Sequence, residues 1–555
     1  MDRNFLLALA LSFLVLSLWT LYTAPPPPAE GELPAAQGTA PPEPQAAPAE
    51  AAAEFPTTPS AVAPAAPAPA VPSTPEELVR IETPLYEAHF TSHGGALLHW
   101  ALRDYDDASV PGRPPVRITT LDPRRDRALA TPFESVGYGD LSRAAFQLER
   151  PDPLTLVFTR VEHGITLRKT YRLREDDYLF ELELEVVNGA DRHVRPTFRT
   201  LWPARRQDSA DYREHYLAAL SQGDLEEVPV GAAPSFLGFG GGSLEQPETY
   251  GAELDWAGAN ATYFLAALMP DVPRDAAARF SPGAERDLVY TELAFQAVNV
   301  PPGQSASRLV RVYLGPKESS RLAEVGANLD RSIRKGWFPA LTSFFVWLLE
   351  ATHGLFPNYG LAIVVITILV RLLMAPIMQK QMKSMKRMGE MQPRMKEIQE
   401  KYADDKQKQS EEMMKMWKES GFNPMAGCLP MFLQLPVFIG LYYALQGAIE
   451  LRQAPFVGWI DDLSAPETLF VLPGLELPIR LLPILMGGSM VLQQRLTPTT
   501  MDPAQARMMG TVMPIMFTFL FYQFASGLVL YWFVSNVLGI LQQVWTNRRK
   551  EPAAA

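Results

Sequence analysis

The sequence predicts a multi-span α-helical membrane protein with six transmembrane helices, five of them forming a core. To this are added a large exported antiparallel β-sandwich domain and a cytoplasmic helical hairpin. Three observations predict it. Apolar residues collect in long runs at both ends of the 555-residue chain while the mean hydropathy stays near neutral at -0.04, as in a mixture of membrane and soluble parts. The middle of the chain alternates polar and apolar residues at the period of a strand. The loops between the C-terminal apolar runs switch between basic and acidic excess, as loops on opposite sides of a membrane do.

The totals exclude several functions. A formal net charge of -11 argues against nucleic-acid binding, which calls for a basic excess. The single cysteine, Cys428, excludes an intramolecular disulfide framework and leaves a zinc cluster without a second thiolate.

Residues 1–23 read as a transmembrane signal anchor. Phe5 to Tyr22 is an apolar run of about 27 Å as a helix, close to a ~30 Å hydrocarbon core. The competing reading is a cleaved signal peptide, but Thr23-Ala24 runs into four prolines from Pro25, a poor setting for a peptidase that needs small residues about the cut. Arg3 beside the amino terminus keeps that end in the cytoplasm. Residues 24–77 are Pro, Ala, Glu and Thr with scarcely an aromatic, a composition too poor in apolar surface to fold and stiff enough to act as a tether.

Residues 78–330 read as the β domain. Phe180-Glu181-Leu182-Glu183-Leu184-Glu185-Val186 and Arg308-Leu309-Val310-Arg311-Val312-Tyr313 alternate strictly, and Asn188-Gly189 supplies a turn. This predicts a large two-sheet sandwich. His89, His93 and His99 cluster here, but their spacing fits none of the common zinc patterns, so no metal site is expected. The many acidic residues offer no identifiable catalytic pair and read as solvated strand faces.

Residues 331–357 are aromatic and apolar around Trp337 to Leu349, interrupted by Pro339, as in a helix lying along a membrane interface. The second span is 358–378. The next segment, 379–424, carries a net positive balance, including Lys380, Lys383, Lys386, Arg387 and Arg394, and so is cytoplasmic. Pro393 and Ala403-Asp404-Asp405 are expected to break it into a helical hairpin. Met382, Met385 and Met388 lie on a methionine stripe at helical spacing, either core packing or an adaptable contact surface for signal-like helices.

The third span, 425–446, leads into an acid-rich loop, 447–478, with Glu450, Asp461, Asp462, Glu467 and Glu476, expected outside. The fourth span is 479–494, and 495–507 carries Arg495 and Arg507 back inside. Spans at 508–525 and 526–547 form a tight hairpin, and the tail 548–555 begins Arg548-Arg549-Lys550, in the cytoplasm. The fifth span measures only about 25 Å, so the bilayer is expected to thin around it.

Arg371, amid Val364 to Met374, needs an explanation, because an arginine near a helix centre costs roughly 2.5–3.5 kcal/mol on insertion scales. It either snorkels to the cytoplasmic surface or serves as a fixed cation in a wet cavity that attracts an anionic group. Thr367 shares its helix face. Gln434, Gln493, Gln494, Gln523, Ser535, Asn536, Gln542 and Gln543 either join helices by hydrogen bonds or line that cavity. No Ser-His-Asp set, metal cluster or phosphate loop is evident in the membrane half.

The residues Thr367 to Arg371, Pro376, Asn423-Pro424, Gly427-Cys428-Leu429-Pro430, Gln434-Leu435-Pro436, Glu450 to Phe456, Trp459-Ile460, Ser526 to Tyr531 and Ser535-Asn536 resemble those of the YidC insertases of Gram-negative bacteria, in the YidC/Oxa/Alb family. The resemblance covers the chain. It implies an inner-membrane insertase and chaperone, without catalytic residues, cofactor or metal, that inserts and helps fold membrane proteins alone or with the Sec translocon. It implies a large periplasmic antiparallel β-supersandwich domain like a galactose mutarotase without the sugar activity, and a groove open to cytoplasm and lipid. By position Arg371 is the groove arginine, Thr367 and Gln434 line the groove, and Tyr531 and Trp532 face clients. Partners would be nascent membrane proteins, the Sec translocon, and ribosomes and signal-recognition components at the hairpin. The family commonly has a second tyrosine where this chain has Trp532, which keeps a ring and an N–H donor but lacks the phenol.

Two other classes explain less. A membrane-anchored carbohydrate-active protein leaves the five later spans without a purpose. A small-solute transporter predicts paired repeats with broken helices, which the sequence lacks.

Overall fold

The computed structural model describes residues 75–548 apart from 108–109, 111, 120–125, 134–139, 207–214, 231–243, 252, 286, 403–404, 420–428, 473, 475–476 and 497–507. The anchor, most of the tether and the tail beyond Arg548 therefore lie outside the described residues. The chain forms two compact units, one within Gly38–Ile333 and one within Arg334–Ala555.

The first unit is antiparallel β throughout its named sheets. Its largest sheet has nine strands, in spatial order Asp224–Pro229, Tyr216–Ser221, Leu254–Asn260, Phe264–Pro270, Ser305–Pro316, Leu179–Asn188, Ile165–Arg172, Thr155–Glu162 and Gln147–Asp152. Two four-stranded sheets accompany it, Leu78–Glu82 to Pro115–Arg117 and Glu248–Tyr250 with Ala276–Pro282, Leu288–Phe295 and Arg199–Arg205. Three sheets thus stand where two were expected.

The two alternating runs singled out in the sequence pair with each other, Val312 opposite Phe180 and Val310 opposite Leu182. Their apolar members therefore fall on one buried face, which is what fixes register. Around it Trp100 stacks on Tyr86 at 4.0 Å between ring centroids and on Phe180 at 5.2 Å. Lys169 is fully buried, donating to the carbonyls of Gly94 and Leu129 at 2.9 and 2.8 Å, and burial pushes its pKa well below the ordinary value.

The second unit is helical: α1 is the short Ser319–Val325 helix that ends the β unit, and α2 (Pro339–Leu355) opens the membrane half. Pro339 does not interrupt α2; it occupies the first turn, where a missing N–H costs nothing. Helix α3 runs from Tyr359 to Lys401 without a break at Pro376 or Pro393. The expected break at Pro393 is therefore corrected: one lost hydrogen bond is tolerated inside a long helix whose other bonds persist. Beyond α3 the Asp405 carboxylate accepts from the Lys408 amide at 3.0 Å and caps α4 (Lys406–Glu419).

Helix α5 spans Leu429–Gly447, α6 Leu481–Leu496, α7 Met513–Phe521 after a π turn at Met508–Val512, and α8 Ser526–Arg548. Among the described residues two helices are long and apolar enough to cross a membrane, Tyr359–Gln379 and Ser526–Thr546, with a shorter apolar helix at Gly510–Phe521. The acid-rich segment 447–478 is built, not loose. Asp462 accepts from the Gln453 and Ser464 amides at 3.0 and 2.8 Å, its own carbonyl accepts from the Ser526 hydroxyl at the start of α8, and Glu467 accepts from the Leu482 amide at the start of α6. Glu467 therefore caps α6, while the Asp462 carboxylate ties the loop to itself.

Candidate functional site

The membrane half packs its helices around a buried cluster that includes Ile363 and Ile366 of α3, Tyr442 and Tyr443 of α5, Met486 of α6, Phe521 of α7 and Tyr531 of α8. Several polar side chains enter this apolar setting and meet specific partners there. Arg371 reaches across from α3 to α8, where its Nε donates to the Ser535 hydroxyl at 2.9 Å. A Cβ added at Gly539, one turn further along α8, would stand 3.6 Å from both terminal nitrogens of Arg371 and 2.9 Å from the Gln493 amide nitrogen. Glycine there leaves room for the Gln493 amide, while the Arg371 nitrogens lie at ordinary contact distance.

Ser535 also meets the Tyr531 hydroxyl, and Gln434 of α5 donates to that hydroxyl at 2.7 Å. Three of the five residues expected to form the groove, Arg371, Gln434 and Tyr531, thus join one hydrogen-bonded line through Ser535. The sequence offered Ser535 only as one polar residue among several; its spacing of four from Tyr531 was the available signal.

The other two stand apart from this line. Thr367 is 1% exposed and its hydroxyl donates to the Ile363 carbonyl at 2.6 Å, closing a bond within its own helix. Trp532 belongs to an aromatic cluster, with ring centroids 4.8 Å from Phe438, 5.1 Å from Phe521 and 6.0 Å from Phe517. Met382, Met385 and Met388 lie on the continuous part of α3, and their side chains are outside the described residues.

A second set of polar residues fastens α8 to α6. Asn536 donates to the Ser489 hydroxyl at 3.0 Å and Gln543 to the Leu496 carbonyl at 2.7 Å. Gly487 permits the close approach of α6 to α7, since a Cβ there would overlap the Thr518 hydroxyl.

In the β unit, His89 and His99 face each other on neighbouring strands, rings 4.8 Å apart, and His89 contacts Glu87 at 2.7 Å. Burial, then the nearby His89 and Arg117, push the His99 pKa down to about 4. Among the described residues no group of three or more His, Cys, Asp or Glu is disposed to hold a metal.

Comparison with known proteins decides the family. The family described as 60Kd inner membrane protein matches residues 351–553, and that described as YidC periplasmic domain matches residues 78–348. The membrane protein insertase YidC of Syntrophus aciditrophicus is 33% identical over 575 residues, covering 99% of this chain and 100% of the relative. The chain belongs to the YidC family of membrane protein insertases. The YidC insertase of Geobacter metallireducens is likewise 33% identical over 573 residues, covering 100% of both chains, and that of Oleidesulfovibrio alaskensis is 34% identical over 492, covering 85% of this chain and 86% of the relative. Membership in the YidC family places the protein in the inner membrane and its β unit in the periplasm. It also sets aside the carbohydrate and transporter readings, for YidC is not an enzyme family.

Proposed function

We propose that this YidC insertase passes membrane-protein clients along a polar groove bounded by Arg371, Thr367, Gln434, Tyr531 and Trp532. On this reading it has six spans, at 1–23, 358–378, 425–446, 479–494, 508–525 and 526–547, and both termini are cytoplasmic. The observation that carries the proposal is the environment of Arg371: its hydrogen-bond partner inside the bundle is the neutral Ser535 hydroxyl, and no ion pair among the described residues involves it. A charge so placed stays available to attract an acidic client tail.

The client's own apolar helix then supplies the drive, since its burial in lipid gains roughly 25 cal/mol per Å². No catalytic residue and no cofactor enter this account. Thr367 contributes packing beneath Arg371, its hydroxyl being committed to Ile363. The cytoplasmic hairpin, 379–424, with Met382, Met385 and Met388, receives ribosomes and signal-recognition components, and the Sec translocon shares some clients; the support for these partners is the family resemblance.

Site-specific crosslinking from positions 434, 531 and 532 to a stalled nascent membrane protein tests the groove. Crosslinks from these positions, and none from lipid-facing Leu373, are expected. Labelling of cysteines placed in 379–424 and 447–478 from the same side of the membrane would overturn the span count.

A further inference from the structure

Between α5 and α6 the chain forms a two-stranded ribbon, Phe470–Leu472 paired with Leu477–Ile479, which the caps of the surrounding loop do not account for. From Leu469 to Ile479 the sequence holds one charged residue, Glu476. Phe470 is 50% and Val471 53% exposed, and Leu472 and Leu477 are exposed as well. Neighbouring residues of a strand point to opposite faces, so both faces of this ribbon are apolar and uncovered. A hairpin in water alternates polar and apolar residues instead.

The base of the ribbon is fixed. Glu467 caps α6, the Arg480 guanidinium donates to the Tyr522 carbonyl, and the Tyr522 hydroxyl donates to the Pro478 carbonyl at 2.5 Å. Tyr522 directly follows α7. Among the described residues Met508 to Phe521 amounts to about 21 Å of helix that ends beside the ribbon's base. Three paired residues of a ribbon cover about 10 Å. Exposed Ile484 and Leu485 on α6 carry the apolar surface onward from the ribbon's base.

We infer that this ribbon inserts into the periplasmic leaflet of the bilayer beside the end of α7, with Arg480 and Tyr522 as its boundary anchors. Lipid is the occupant that meets both faces at once and continues the surface of the adjoining spans, whereas a protein docked on the ribbon would cover one face or one edge. The inference rests on the six-span reading for its side of the membrane.

Single cysteines at positions 470, 471, 477 and 461, each in a Cys428→Ser chain that still supports growth of depleted cells, carry a nitroxide in full-length protein reconstituted into phosphatidylethanolamine–phosphatidylglycerol vesicles. Collision with oxygen should exceed collision with a water-soluble nickel chelate at 470, 471 and 477, and the order should reverse at exposed Asp461. Nickel dominating at the ribbon, or 470 and 471 differing because one is shielded from both reagents, overturns the inference. Labelling of position 461 by an impermeant maleimide from the periplasmic side tests the topology separately: failure there sinks the six-span reading, while a periplasmic 461 with a nickel-exposed ribbon sinks the wedge alone.

Discussion

Replacing Arg371 tests whether the groove works by charge. Among the described residues Arg371 is held by one hydrogen bond to a hydroxyl and by no carboxylate, so on the proposed reading its geometry is loosely specified and its charge stays available. A client carboxylate about 7 Å from the guanidinium, at an effective dielectric of about 20, gains roughly 2 kcal/mol, a factor of about thirty in occupancy of the groove. Arg371→Ala should therefore lower insertion of a client with an acidic tail by about that factor, and leave a matched client with a neutral tail nearly unchanged. Arg371→Lys keeps the charge and gives up the Nε bond to Ser535, which is worth about 1 kcal/mol of stability, so insertion should largely survive. Arg371→Glu should be worse than alanine for the acidic client. The assay is protease protection of both clients in depleted cells, with the steady-state level of each variant measured alongside. Equal losses for both clients in Arg371→Lys, together with falling protein levels, would refute electrostatic capture and make Arg371 a structural residue.

Gly487→Ala should destabilise the membrane half by about 1–3 kcal/mol through overlap with Thr518, and Thr518→Ala should restore part of the loss in detergent unfolding; a neutral Gly487→Ala would show that α6 and α7 pack more loosely. Asn536→Leu should cost only about 0.6 kcal/mol, because Ser489 keeps its own bond to the Met486 carbonyl, and the same unfolding assay checks it. The periplasmic domain should lose stability as pH falls from about 6.5 towards 4. His99 and His215 are held neutral in the fold, at about 4 and about 3, while the unfolded chain takes up protons near 6.5. His99→Gln should flatten urea-unfolding midpoints over that range by an amount equivalent to at most about 3 kcal/mol, and an unchanged pH dependence would refute the assignment. Joining residues 1–23 to 331–555 should still allow growth of depleted cells, since the proposed groove lies wholly in the later part; failure of a stably expressed truncation would reopen a required role for the β domain.

The strands were legible wherever one face is buried, as at Phe180 to Val186, because alternation and register are one constraint. The number of sheets was not, since pairing such as Ile165–Arg172 beside Leu179–Asn188 depends on partners far apart in the chain. Pro393 misled because a proline signal is local while the stability of α3 is spread over its 43 residues. Arg371 announced itself by its cost in lipid; its partner Ser535 did not, because a serine in a helix has many ordinary reasons. Counting charges in 447–478 gave only an expected side of the membrane, and it hid both the hydrogen bonds of Asp462 and Glu467 and the apolar ribbon between them and α6.

Helix α8 shows why polar residues in one span need not share one purpose. Tyr531, Ser535, Gly539 and Gln542 fall within about 80° of one another at 100° per residue, and this stripe meets Gln434, Arg371 and the Ala375 carbonyl on α5 and α3. Asn536 and Gln543 lie roughly 100° away around the helix, and both bond to α6. Along the second stripe every donor ends on an α6 hydroxyl or carbonyl, as in a fastening between two helices. The first stripe instead ends on a cation whose charge its neutral partners leave uncancelled. A client tail that displaced Ser535 from Arg371 would exchange a hydroxyl for a carboxylate while the α6 fastening stayed in place. On the proposed reading, polar exchange on one face and a fixed joint on the other would let the groove take up a client without loosening the bundle.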